Sequence, residues 1–594
     1  MTQEHETSLH QEQPAVAAST PPIYSRRRFL LRSALAGAGA LSLPALLAAC
    51  GGDDDDDDDA SGSPSGGGAG ATSGTGGVAG TTPAPEEAGE PKSGGTLVWG
   101  MGGDADALDP ATTGAWAAWR QVCLMYDSLV RKDLSVSEGV PDMIPQLATE
   151  WETSEDGLTW TFGLREGVTF HDGTEFNAEA VQANYERMAV KDSKWNYNLS
   201  THGRFAFQFA VSTEMPDPMT WSITHDQPVG EFLATLGDYY WFGIASPTQI
   251  EKVGNENMAA NPSGTGPFTF VEREPGQRSV FKRNENYWGE KAFLDEIIVR
   301  PILEDQARIV ALQTGEIDLM SDPPPDLIES LVDEGFEVSM GPASHVQYYL
   351  FHFRNEYGGN VKVRQAISHA IDREALARDL YRDTATPAYG LLVPGAPAFD
   401  PEWEPYPYDV EKAKALLTEA GYPDGFTATV CSVPTASGWP QAGATAQFMK
   451  DALSKIGINI ELELTEWVTY LGVQWRERTD VLMRGTAFGM PTNFFLNTQE
   501  SRYTSEKDAG SFDYTNREKP NTVLDELLVA GRQELDQAKA NDIYRRANEQ
   551  MIVEDCAFLP LTHDKLPHMM KSSVKGFVHA VNVNYDLAKV WIDE

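Results

Sequence analysis

Trp151-Glu152-Thr153-Ser154-Glu155-Asp156-Gly157-Leu158-Thr159-Trp160-Thr161-Phe162-Gly163-Leu164 reads as two strands and the turn that joins them. Asp156-Gly157 supplies the positive-φ turn chemistry, and Leu158, Trp160, Phe162 and Leu164 alternate onto one face. A second Asp-Gly turn follows at Asp172-Gly173. Asn177 then caps a predicted helix running to Met188, with Val181, Tyr185 and Met188 on one stripe. Strand and helix signals keep mixing on both sides of this block. Thr96-Leu97-Val98-Trp99 predicts a first strand, and Ala307 begins a helix that ends at Thr314 before the capping Gly315. Val363 to Tyr381 is a helical pattern interrupted near Asp372; Asp409 caps a helix that Gly421 ends. The alternation from Gly457 to Leu464 predicts a strand, and Leu524 to Glu554 is mostly helical. Such a mixture, without a repeat, implies an α/β protein of large lobes and excludes a bundle or a solenoid.

The chain has 594 residues, 88 acidic against 46 basic, and a net charge of -42. Phosphate affinity needs clustered Lys and Arg, so nucleic acid is not an expected partner. The first 50 residues read as an export signal. Arg26 and Arg27, with Phe29-Leu30 after them, resemble a twin-arginine signal. The weakly apolar run ends at Leu47-Ala48-Ala49-Cys50, which resembles a lipobox whose cysteine becomes acylated. Residues 51–93 hold an unbroken acidic run, Asp53 to Asp59, and then Gly, Ser, Thr, Ala and Pro. That composition cannot bury enough surface to fold and predicts a flexible tether with a reach of roughly 35 Å. Of the remaining cysteines, Cys123, Cys431 and Cys556, at most two can pair, and buried thiols are expected.

No motif for a metal, a nucleotide or an acyl nucleophile stands out. Gly100-Met101-Gly102-Gly103-Asp104-Ala105 fits a loose dinucleotide loop, but Leu108-Asp109-Pro110 follows at once and disfavours the helix such a loop needs. His563 and His568 flank Pro567 and read as surface or hydrogen-bonded histidines; His345 and His352 lie in an apolar stretch and read as core. The chain is expected to be no enzyme and to need no cofactor.

Three blocks carry a resemblance to the extracellular solute-binding proteins of family 5, which include oligopeptide, dipeptide and nickel binders. The first is Pro145-Gln146-Leu147-Ala148 with Trp151 to Phe162, Leu164-Arg165-Glu166-Gly167-Val168 and Phe170-His171-Asp172-Gly173. The second is Gly264-Thr265-Gly266-Pro267-Phe268, then Asn284, Tyr287-Trp288-Gly289 and Leu312 to Asp318. The third is Val363-Arg364-Gln365-Ala366-Ile367, Ala370-Ile371-Asp372-Arg373-Glu374, Lys412-Ala413, Leu416-Leu417 and Ala420-Gly421-Tyr422. The resemblance implies a two-lobed periplasmic-binding-protein-like α/β fold with two hinge crossings. Lobe one would be 94–342 plus 563–594 and lobe two 343–562. It implies a monomer outside the cytoplasm, held to the membrane by its lipid, that hands a solute enclosed between the lobes to the permease subunits of an ABC importer. A solute-sensing receptor and an extracytoplasmic hydrolase are the alternatives on the same fold.

In peptide-binding relatives an aspartate ahead of a Pro-x-x-Phe stretch pairs with the ligand's amino terminus. Aligned on Pro491 and Phe494, that position here is Ala487, and no Asp or Glu occurs from Val481 to Thr498. Arg484 is expected to add a repelling charge, with Gly485 beside it. An enclosed ammonium without its carboxylate is costly, so the expected solute is not an ordinary free-amine peptide. Trp116, Tyr240, Trp241, Trp439 and Phe488 are the aromatic candidates for the cleft. If Cys50 carries the anchor, Cys50→Ala leaves the chain without lipid and frees it from membranes. Mutant chain that stays membrane-bound after a salt wash would refute this.

Overall fold

The computed structural model describes residues 90–593 except 198–202, 204–205, 238–241, 436–437, 440, 467–468, 471–472, 474, 490–491, 494 and 498–521. Two large sheets organise it. The first has seven strands in the order Glu337–Ser339, His568–Met570, Leu319–Ser321, Thr96–Met101, Glu296–Pro301, Arg278–Arg283 and Phe268–Glu274. Thr96–Met101 lies near its middle, parallel to both neighbours. A parallel central strand is covered on both faces, and Leu97, Trp99 and Met101 are buried accordingly. After it the chain does not open a helix until Trp116, as Leu108-Asp109-Pro110 implied.

The expected hairpin is present as Ala148–Thr153 paired with Thr159–Leu164, and Gly157 adopts φ +70° in its turn. Thr220–His225 and Ala210–Asp217 extend it to a four-stranded antiparallel sheet. Trp160, Phe162 and Leu164 bury one face of it with Trp221, Ile223 and Phe232. Asn177 caps Ala178–Ala189 by accepting from Ala180 N at 3.1 Å.

The three glycine- and aromatic-rich segments of this half converge on one side chain. Asp127 is buried, and its carboxylate accepts from Gln146 Nε2 at 2.6 Å, Thr265 Oγ1 at 2.8 Å and Trp288 Nε1 at 2.9 Å. Burial raises its pKa, while Trp288, Thr265, the charge of Arg131 and Tyr287 oppose the rise. A Cβ on Gly264 or Gly266 would stand 2.2 or 2.5 Å from the backbone of Met125, so only glycine lets Thr265 reach the carboxylate.

The second sheet has six strands in the order Ala385–Pro387, Phe558–Asp564, Val346–Phe351, Val481–Phe488, Phe426–Ser432 and Ile458–Leu464. The chain passes from the first sheet to the second between Ser339 and Val346 and returns between Asp564 and His568. The crossings are bonded to each other: Gly341 N donates to Lys565 O at 3.2 Å and Ala343 N to Asp564 O at 3.0 Å. The molecule is therefore two-lobed α/β. Cys123, Cys431 and Cys556 are free and buried. Among the described residues, no helix is long and apolar enough to cross a membrane.

Asp127→Ala takes the acceptor from two buried donors, Gln146 and Thr265, and from the half-buried Trp288, at ~1–3 kcal/mol each. Urea unfolding of the mature chain will show a loss of at least about 3 kcal/mol, whereas removing the exposed Lys194–Glu251 pair changes it by less than about 1 kcal/mol. Equal effects would refute the hub role of Asp127.

Candidate functional site

The lobes face each other beside the crossings. Trp116 opens the helix Trp116–Met125 on the lobe-one side. Its ring meets the His345 ring edge-on, with centroids 4.4 Å apart. It also lies against Gly438, whose φ is +78° and whose Cβ, if present, would stand 3.0 Å from the indole. Trp116 thus touches two segments of the other lobe. One turn on, Arg120 is buried, donates from Nε to Val583 O at 3.2 Å and has Nη1 3.6 Å from Asp322.

The lobe-two floor follows from strand register. Gln347 pairs with Ala487 on one side and Thr562 on the other. Residues paired across strands share a face, and so does Asp564, two residues beyond Thr562. A buried chain of hydrogen bonds runs over this face. Tyr381 OH is 2.7 Å from Thr445 Oγ1 and donates to Gln347 Oε1 at 2.5 Å. Gln347 Nε2 donates to Asp564 Oδ1 at 2.5 Å, and His345 Nδ1 binds Asp564 Oδ2. Burial pushes the Asp564 carboxyl upward, and His345 and Gln347 oppose it. Both oxygens of Asp564 are engaged from within the protein.

Trp439 is buried deeper, edge-on to Tyr349 at 6.2 Å, over Gly485. A Cβ on Gly485 would lie 2.6 Å from the Trp439 ring, which explains the glycine. Phe488 is half-buried against Phe495, with centroids 5.7 Å apart.

Arg484 requires a correction. It does not share a face with Ala487, because residues three apart on a strand point to opposite sides. Its guanidinium lies 4.8 Å from the centroid of the Trp475 ring and 5.7 Å from that of Tyr470, and the residue is buried. The charge expected beside Ala487 is stacked on aromatics behind the strand. Of the two readings of His563 and His568, the surface one is corrected, since both are buried and burial lowers the His563 imidazole to about 4; the hydrogen-bonded one holds for His568, whose Nδ1 lies 2.9 Å from Leu566 O.

Tyr240, Trp241, Pro491, Phe494, Cys50, Arg26 and Arg27 lie outside the described residues. Sequence reasoning missed Gln347, Tyr381 and Asp564 as floor residues and read His345 as mere core. The available signal was the polar pair His345 and Gln347, spaced by two in an apolar strand. Among the described residues, no group of three or more His, Cys, Asp or Glu is arranged to hold a metal ion.

Gly438→Ala brings backbone strain of about 1–2 kcal/mol and pushes on the Trp116 ring. The expected result is a red-shifted tryptophan emission that Trp116→Phe abolishes. An unchanged spectrum would show that Trp116 is not held by Gly438.

The family model described as "Bacterial extracellular solute-binding proteins, family 5 Middle" matches residues 142–505. The dipeptide-binding protein of Escherichia coli (strain K12) is 29% identical over 507 residues, covering 81% of this chain and 92% of that protein. Heme-binding protein A of Haemophilus influenzae is 31% identical over 481 residues, covering 77% and 84%. Among solved structures, the periplasmic binding protein DppA from Helicobacter pylori in complex with peptide STSA superposes with a TM-score of 0.73 at 28% identity, covering 85% of this chain and 99% of that one. The chain belongs to the family 5 bacterial extracellular solute-binding proteins.

Proposed function

We propose that this family 5 protein is the solute-capturing component of an ABC importer and that its solute is not an ordinary free-amine peptide. The observation that carries the first part is the pairing of family membership with two sheets joined by two hydrogen-bonded crossings. That geometry suits hinge closure around a ligand. On this reading lobe one comprises 94–342 and 563–594 and lobe two 343–562, save that His563 and Asp564 go with lobe two, whose sheet contains the strand Phe558–Asp564. The chain is exported through the Arg26-Arg27 signal, anchored at Cys50 and held on the tether 51–93. It meets the permease subunits outside the cytoplasm.

The second part rests on the floor. Ala487 stands where an ammonium would need a carboxylate. The nearby acid on the same face, Asp564, is engaged through both oxygens by His345 and Gln347. Withdrawing it for a ligand would leave His345 and Gln347 without a buried acceptor. The relatives named for a dipeptide and for heme support the view that this fold accommodates chemically unlike solutes. Trp116, Trp439 and Phe488, with Tyr240 and Trp241, are the aromatic surfaces proposed to cover a neutral or anionic solute with apolar or sugar character. Arg484 and Gly485 act in this scheme as supports of the strand.

Native mass spectrometry of protein purified without refolding identifies a retained solute. Calorimetry against a mixed di- to pentapeptide library tests the exclusion of free amines. Loss of one partner of a buried charge pair is worth about 3–5 kcal/mol, or roughly two to four orders of magnitude in affinity, so binding weaker than micromolar is expected. Ala487→Asp is expected to recover part of it. Submicromolar peptide binding that N-acetylation removes would overturn the exclusion.

A further inference from the structure

Lobe one meets lobe two at a second place, away from the crossings. Gly230 N donates to Arg532 O at 2.8 Å, and Gln533 Nε2 donates to Gln227 Oε1 at 2.6 Å. The approach is close: a Cβ on Gly230 would stand 2.2 Å from Glu534 O, and one on Gly157 would stand 2.8 Å from Leu535. The guanidinium of Arg532 lies 4.5 Å from the centroid of Phe209.

Glu231 sits in the middle of this contact, just before the helix Phe232–Gly237, and is only 5% exposed. Its Oε2 accepts from Thr492 Oγ1 at 2.8 Å, and Asn493 Nδ2 lies 3.5 Å from Oε1. Asn493 is itself fixed: it accepts from Ala398 N at 2.8 Å and donates to Asn541 Oδ1 at 2.8 Å. Lobe two therefore presents prepared donors to one carboxylate of lobe one. Its neighbours in sequence, Val229, Gly230, Phe232 and Leu233, are apolar or small, so Glu231 is the one acid in its stretch.

We propose that Glu231 is a closure-determining residue: a carboxylate of lobe one that Thr492 and Asn493 of lobe two hold when the lobes meet, so that this clasp sets how much of the protein is closed. The proposal rests on the hinge reading given above. The groups that face Glu231 are the neutral Thr492, Asn493 and Gln537 from lobe two and the cation of Lys132 from its own lobe. Burial is the largest influence on the carboxyl and raises its pKa, against the donors and Lys132. The sign follows. When the lobes part, the group is solvated and titrates in the ordinary carboxylate range. Closure therefore favours the protonated acid. The closed form is most stable below that ordinary range, loses stability as pH rises toward the raised value, and levels off above it. Glutamine at 231 imitates the protonated acid and removes the dependence.

The test uses the mature chain without added solute. Hydrogen exchange of the peptide containing Gly230, and the radius of gyration from solution scattering, are measured at about pH 4, within the ordinary carboxylate range, and at about pH 8. Wild type is expected to lose protection, corrected for intrinsic exchange, and to expand as pH rises. Glu231→Gln is expected to stay protected and compact at both. Glu231→Ala removes the carboxylate that Thr492 and Asn493 reach across the lobes, and about tenfold less protection is expected at both. A far-ultraviolet melting curve checks that each variant is folded. Equal protection and size in all three proteins would overturn the clasp, as would a wild-type pH response that persists in Glu231→Gln. If scattering finds one unchanging form in every variant, with or without the solute recovered by mass spectrometry, the hinge reading fails along with it. If the lobes move and residue 231 has no influence, the clasp alone fails.

Discussion

The two crossings between the lobes are laced together by Gly341 N to Lys565 O and Ala343 N to Asp564 O, and the cleft takes its form from that constraint. Two chains that bond to each other act as one short ribbon, which restricts relative motion to bending about it. The same ribbon delivers chemistry. His345 lies just past the outgoing crossing and Asp564 just before the returning one, so their bond closes over 219 residues of sequence. Gln347 is two residues farther along the outgoing strand and completes the engagement of Asp564. Both oxygens of the floor's carboxylate are thus engaged from within the protein. What an acid does in a site depends on which of its lone pairs are still free, not on its presence.

Asp127 explains why the recognisable blocks speak to the fold and are silent on the solute. Gln146 comes from the first block and Thr265 and Trp288 from two parts of the second, and all donate to this one buried carboxylate. Gly264 and Gly266 are there because the backbone of Met125 leaves no room for a Cβ. A buried charge must be saturated with donors to be tolerated, which fixes several residues at once. None of those residues reaches the cleft floor described above.

The two lobe contacts differ in character. Trp116 against His345 and Gly438 is a close packing of rings and backbone, largely indifferent to charge. Glu231 against Thr492 and Asn493 is polar and buried, so its strength follows protonation. A binding protein with one contact of each kind has an apolar fulcrum and an adjustable rim.

The sequence by itself determined what local chemistry decides. Asp156-Gly157 with alternating Trp160, Phe162 and Leu164 specifies a hairpin; Asn177 and Asp409 cap the helices they precede; Gly315 and Gly421 end theirs at positive φ. Each of these is settled within a few residues by turn geometry, side-chain caps or a period of two or 3.6. Ala487, as the absence of an acid from a short stretch, was legible for the same reason. What only the tertiary structure decided is the company each side chain keeps. Arg484 and Ala487 are near neighbours in sequence, yet the pleat sends one behind the strand onto Trp475 and keeps the other with Gln347. His345, Gln347, Tyr381, Thr445 and Asp564 carry no mutual spacing that a pattern could detect. They meet because strands distant in sequence lie side by side, and hydrogen bonds between such strands are set by sheet order and register, which no local rule encodes.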